Sequence, residues 1–229
     1  MERNELIEII KNFKTEDFLK SEYVSELTNL LTNNQDICCY FDCDGVMFNT
    51  IEVSFKEMGL DHKVEITDEK IQEGISEYYR KVDWYDLLLK SEEINNSCKN
   101  LLILKDLNLF KYMAIATHRH TYLNEGLAKK RIFEERIKGI PVLDIPFKLK
   151  KHFAVKSEGN ILVDDSKRKI SEWINSGGIG VLFDQDFIGF STPTLEKPYF
   201  IINNLLDLVK VMYLLEVCYK INKSYQKRK

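Results

Sequence analysis

The chain has 229 residues, of which 44% are hydrophobic and 30% charged; that apolar content needs a core and excludes a disordered chain or a low-complexity fibre. Its 33 basic residues against 36 acidic ones leave a net charge of −3, which argues against a nucleic-acid-coating or polybasic membrane-binding protein. The start, Met-Glu-Arg-Asn-Glu, carries no apolar signal core, and the most apolar late stretch, residues 205–218, is short and broken by Asp207, Lys210 and Glu216, so no membrane span is expected.

Residues 1–35 read as a helical extension, because Leu6, Ile9, Ile10 and Phe13, then Phe18, Tyr23, Leu27 and Leu31, recur near helical spacing. A polar break precedes Ile37–Phe41, a short apolar run that stops at Asp42-Cys43-Asp44-Gly45 and reads as a buried parallel strand entering a loop. Residues 51–104 have a helical pattern, with Thr67 as an expected N-cap and Asp68 and Glu69 in the first turn. A helix over 96–107 leads to a strand, Tyr112–Ala116, which ends at Thr117. A helix over 122–137, a short strand at Val142-Leu143 and a strand Ile161–Val163 ending in Asp164-Asp165 follow. The helix expected over 169–175 meets Gly177-Gly178, a good C-terminal stop. Strands 179–183 and 199–202 precede a last helix from Asn203 or Asn204, and the basic tail 223–229 reads as solvated. Five cysteines without a CxxC pair, two of them adjacent at Cys38 and Cys39 in an apolar run, read as buried hydrophobes in a reduced, cytoplasmic protein.

Strands alternating with helices predict an α/β fold with a doubly wound, Rossmann-like parallel sheet. Ligands of such sheets sit beyond the carboxyl ends of the strands. Three strand ends carry polar residues: Asp42 with Asp44, Thr117, and Asp164 with Asp165. If these ends are neighbours, four carboxylates and a hydroxyl share one point, and something positive must sit among them. Hard oxygen ligands in that number favour Mg²⁺.

Asp42-Cys43-Asp44-Gly45-Val46 after an apolar strand resembles the first motif of the haloacid-dehalogenase-like phosphohydrolases. Ile115-Ala116-Thr117 resembles their second motif and Ile161–Asp165 their fourth, in the right order, with room for a small helical cap after the first strand. The resemblance covers about residues 35–190 and implies a core of 36–50 and 105–202, a cap of 51–104, and a C-terminal helix and tail of 203–229. It implies that Asp42 is the nucleophile and that Asp44 is the general acid and base. Asp42, the Asp44 main-chain carbonyl and Asp164 would hold Mg²⁺, with Asp165 in the same shell. Thr117 would bind a phosphoryl oxygen. The third motif needs a lysine, and Lys148, Lys150, Lys151 and Lys156 are all candidates. The run Ile145-Pro146-Phe147 before the lysines resembles the 5′-nucleotidase subgroup, whose pattern favours Lys151.

Around these, Gly45, Asn49, His118 and Arg119 are candidates for shaping the substrate pocket, Gly45 chiefly through its backbone freedom. A His118-x-His120 metal pair is a weaker reading. Phe48, Phe55, Tyr78, Tyr79, Trp84 and Tyr85 could stack on a base or simply form the cap core. The expected activity is therefore Mg²⁺-dependent hydrolysis of a phosphomonoester, with a nucleoside or deoxynucleoside monophosphate as substrate. The alternatives are a sugar-phosphate or other small-metabolite phosphatase, or a binding module that kept the fold without turnover. The apolar late helix leaves a homodimer open. No membrane and no stable nucleic-acid partner is expected.

Overall fold

The structure, a computed structural model, describes residues 16–19, 23–24, 27, 36–64, 66–119 and 124–226. Most of the N-terminal segment expected to be helical, together with His120 and the end of the basic tail, lies outside the described residues. Of that segment, a single helical turn, Glu16–Leu19, is described, and Phe18, Tyr23 and Leu27 join the core.

Seven strands form one sheet: β1 Cys38–Phe41, β2 Tyr112–Arg119, β3 Val142–Pro146, β4 Ile161–Asp164, β5 Ile179–Phe183, β6 Phe190–Ser191 and β7 Tyr199–Ile202, in the order β3-β2-β1-β4-β5-β7-β6. All pairings are parallel except β6 with β7. The two-residue edge strand β6 is too short for a sequence pattern to announce it. The central strands are continuous apolar runs because both sheet faces are covered. Alternate residues go to different cores. Cys39, Phe41, Ile115, Ile161, Val163 and Val181 join the larger one, and Tyr40, Ala114, Ala116, Leu162 and Leu182 join the smaller one around Ile170 and Trp173.

Between β1 and β2 the chain makes a helical insert: α1 Thr50–Glu57, α2 Glu69–Lys81, α3 Trp84–Lys90 and α4 Ser97–Asp106. Asp68, not Thr67, caps α2, since its extended backbone lets its carboxylate accept the Lys70 and Ile71 N–H groups. No residue of α2 is buried, whereas Trp84, Leu87 and Leu88 of α3 are. Further along come α5 Glu125–Arg136, the single turn α6 Lys151–Ala154, α7 Lys167–Ile174 and α8 Leu208–Gln226. Helix α7 starts two residues earlier than the apolar pattern suggests, because Ser166 caps it. It ends where Gly177 takes φ +80° and Gly178 N–H bonds back to the Trp173 carbonyl. Helix α8 begins after the turn Leu205–Asp207, capped by the Asn204 side chain, and buries Leu208, Val211, Leu214, Leu215 and Cys218 in the larger core. All five cysteines are free thiols. Among the described residues no helix is long and apolar enough to cross a membrane.

Candidate active site

The strand order places β2, β1 and β4 side by side, so the three polar strand ends meet. Asp42 follows β1 directly and is 2% exposed. Beyond it the chain doubles back through Gly45, with Met47 N–H on the Cys43 carbonyl (2.8 Å) and Gly45 N–H on the Phe48 carbonyl (3.0 Å). Gly45 has φ +76°, and a Cβ there would stand 2.1 Å from Asp165 Oδ2, so glycine is needed for both backbone angle and space. The turn brings Asp44 under the first residue of α1, where the Thr50 hydroxyl donates to Asp44 Oδ1 at 2.7 Å.

The positive charge that the carboxylates require comes from three lysines. Lys151, at the start of α6 and 4% exposed, reaches Asp42 Oδ1 at 3.1 Å and Asp164 Oδ2 at 2.7 Å. Of the four lysines open to the third motif, it is the one in the cluster. Lys150 pairs with Glu172 (3.2 Å), Lys156 with Glu158 (3.7 Å), and Lys148 lines a surface groove. Lys169 of α7 approaches Asp42 Oδ2 at 2.7 Å and Asp164 Oδ1 at 3.6 Å. Lys129 of α5 is fully buried and donates to Asp44 Oδ2 (2.7 Å), Glu125 Oε1 (2.7 Å), Thr117 Oγ1 (3.0 Å) and the His118 carbonyl (3.1 Å).

Sequence reasoning missed Lys129 and Lys169, although each left a signal. Lys129 lies on the buried stripe of α5 between Glu125 and Phe133, one turn from each, where an apolar residue is the ordinary choice. Lys169 follows Asp165 by four residues, so one helical turn carries its side chain back over the acidic pair.

The electrostatics follow from this arrangement. Burial opposes ionisation of Asp42, yet Lys151 and Lys169 hold its carboxyl well below the usual carboxylate range. Burial and the Asp42 charge push Asp164 up against the same lysines. Asp165 is exposed at its rim, and the partial desolvation of its carboxyl together with the Asp42 and Asp164 charges pushes it up to about 8. For Lys129 burial disfavours the charge, but Asp44 and Glu125 raise it above its ordinary value.

The fit to a divalent cation can be judged from the donors. Asp42, Asp164 and Asp165 each offer an oxygen, all within 4.8 Å of one another. Asp165 makes no hydrogen bond or ion pair among the described residues, and Lys169 is the nearby cation that opposes the rise in its pKa. Hard oxygens in that number suit Mg²⁺.

A cavity of about 370 Å³ opens over Asp42 and Asp44, lined also by Ile51, Phe55, Tyr79, Trp84 and Phe147 of the insert and loops, and by His118, Asp165 and Lys169. Tyr79 stacks on Trp84 with centroids 5.5 Å apart, and its hydroxyl meets Ser54 Oγ at 2.6 Å. His118 lies within β2, not in a loop after it, and its Nε2 donates to the Leu149 carbonyl at 2.9 Å. Arg119 and Asn49 do not line this cavity. Arg119 pairs with Asp144 on the neighbouring strand at 3.0 Å, and the Asn49 side chain bonds Glu52.

No family model matches the sequence, and no curated protein does. Solved structures do. The putative β-phosphoglucomutase from Bacteroides vulgatus aligns over 86% of this chain and 98% of its own, at 12% identity and a TM-score of 0.50. The phosphonoacetaldehyde hydrolase like protein from Oleispira antarctica aligns over 82% of this chain and 95% of its own, at 11% identity and a TM-score of 0.50. The chain therefore has the haloacid-dehalogenase-like fold, a Rossmann-like core with a helical insert after the first strand.

Proposed function

We propose that the protein is a Mg²⁺-dependent phosphomonoester hydrolase working through an aspartyl-phosphate, with nucleoside or deoxynucleoside monophosphates as its substrate class. One observation carries this reading: the buried Asp42 carboxylate, kept ionised between Lys151 and Lys169, faces a cavity at the strand ends. Such a carboxylate is a nucleophile prepared for an anionic phosphoryl group.

An Asp42 oxygen attacks phosphorus, the bond from phosphorus to the leaving oxygen breaks, and Asp44 gives that oxygen the proton it took from water at the end of the preceding turnover. Asp44 then takes a proton from the water that attacks the aspartyl-phosphate, which releases phosphate and restores Asp42. Thr50 and Lys129 aim the Asp44 carboxylate throughout. Lys151 and the Thr117 hydroxyl offset charge on the phosphoryl oxygens. Mg²⁺, held by Asp42, Asp164, Asp165 and the Asp44 main-chain carbonyl, would supply charge neutralisation between nucleophile and phosphate.

The leaving-group side favours a nucleoside over an open polyol, because Ile51, Phe55, Tyr79, Trp84 and Phe147 give it largely aromatic and apolar walls. The test is phosphate release from a panel of nucleoside monophosphates and sugar phosphates, with Mg²⁺ and with EDTA. Mg²⁺-dependent release that is fastest on nucleotides is the expected result. A ranking led by sugar phosphates would overturn the nucleotide assignment, and no release from any of them would overturn the hydrolase reading.

A further inference from the structure

Two carboxylates and two ammonium groups close a square at the ends of β1 and β4. Lys151 joins Asp42 Oδ1 to Asp164 Oδ2, at 3.1 and 2.7 Å. Lys169 joins the other two oxygens, Asp42 Oδ2 and Asp164 Oδ1, at 2.7 and 3.6 Å. One oxygen of each carboxylate has a further partner: Cys43 N–H donates to Asp42 Oδ1 and Ser166 N–H to Asp164 Oδ1, both at 2.9 Å. Two negative charges meet two positive ones, so the square is electrically complete with no further cation. Only Asp165 is left outside it.

A divalent ion drawn by Asp42, Asp164 and Asp165 must approach the edge that Lys169 covers, since Lys151 closes the opposite one. An ammonium and a hard cation on one oxygen repel each other, so each weakens the other's hold on Asp42 Oδ2. The two lysines differ in freedom. The Lys151 side chain is 3% exposed and fixed, whereas that of Lys169 is 25% exposed. Both lysines border a second cavity of about 220 Å³, lined also by Lys148, Lys150, Arg168 and Glu172, so the difference between them is one of exposure.

We propose that Lys169 is a resident cation of this site. It neutralises the Asp42 carboxylate from 2.7 Å and competes with a divalent ion for the same oxygen. The side chain at position 169 therefore sets how tightly the site takes a metal. The inference rests on the reading that a divalent cation serves Asp42, and it is tested by binding, so it can fail while phosphate release succeeds.

The experiment is calorimetric titration of the full chain with MgCl₂, repeated with Mn²⁺ followed by its paramagnetic resonance signal, on wild type, Lys169→Met and Lys169→Arg. Lys169→Met should tighten metal binding about tenfold or more, the scale set by removing one competing unit charge at contact distance. Lys169→Arg keeps the charge and should stay near wild type. Circular dichroism of both variants, compared with wild type, checks that they are folded. Unchanged or weaker metal binding by folded Lys169→Met would overturn the proposal, as would absence of binding by every variant. Failure of the hydrolase reading shows separately, as no phosphate release by wild type.

Discussion

Lys129 Nζ lies 2.7 Å from Asp44 Oδ2 and 2.7 Å from Glu125 Oε1, with its side chain wholly removed from water. Lys129 and Glu125 are buried and Asp44 is 27% exposed, so a buried ammonium is shared between two carboxylates and also donates to the Thr117 hydroxyl. A buried charge stripped of its partner is costly. Lys129→Met should therefore lower the unfolding free energy by about 3–5 kcal/mol, read from urea melts, because Asp44 and Glu125 lose their counter-charge. Adding Glu125→Gln to it should recover part of that loss. Strictly additive losses in the cycle would contradict a coupled triad.

His118 gives a pH prediction. Burial first, and Lys151 second, lower its pKa below the ordinary 6.5. The fold therefore favours the neutral ring. That contribution is present above the unfolded value of 6.5 and is lost as pH falls through the lower folded value. Between pH 7 and pH 5 the wild type should lose melting temperature relative to His118→Gln, the carboxylate contributions being common to both. Parallel profiles for the two proteins would show that His118 has no part in it.

The lysines after β3 separate cleanly. Lys151→Met should cut phosphate release by about a hundredfold or more, the usual loss when a charge-stabilising donor is removed. Lys148→Met and Lys156→Met should stay near wild type, since neither approaches Asp42. Equal losses across the three would argue for a diffuse field in place of a specific contact.

Gly45→Ala tests the turn after the nucleophile. A left-handed alanine costs roughly 1–2 kcal/mol, and its Cβ would also fall 2.1 Å from Asp165 Oδ2. The variant should melt earlier and bind Mg²⁺ more weakly as Asp165 is displaced. Gly45→Ala with Asp165→Gly should melt later than Gly45→Ala alone, because the clash is gone and only the backbone cost remains. No recovery would mean that the backbone angle carries the whole effect.

The core strands were legible because burial on both sheet faces makes each one a short uninterrupted apolar run. The acidic strand ends were legible because two carboxylates immediately after such a run have no packing reason to be there. The edge strand Phe190–Ser191 was not, since two residues carry no period. Lysines act at the ends of long stems, so sequence position alone says little about which acid they reach. That is why the residues alone leave Lys151 among four candidates, favoured only by the 5′-nucleotidase resemblance, and why nothing in the sequence ties Lys129 to Asp44, 85 residues away. Arg119 and Asn49 looked like pocket residues by adjacency, but nearer carboxylates at Asp144 and Glu52 hold them.

The central claim is that Asp42 accepts the phosphoryl group. The most direct measurement is an acid quench of wild type and Asp42→Asn during turnover of p-nitrophenyl phosphate with Mg²⁺, followed by mass analysis of the peptide containing residue 42. The account predicts a phosphorylated Asp42 peptide in wild type, none in the variant, and phosphate release reduced about a thousandfold or more in the variant, as expected when a covalent nucleophile is lost. Undiminished release by Asp42→Asn, or a phosphoryl group trapped on another residue, would contradict it.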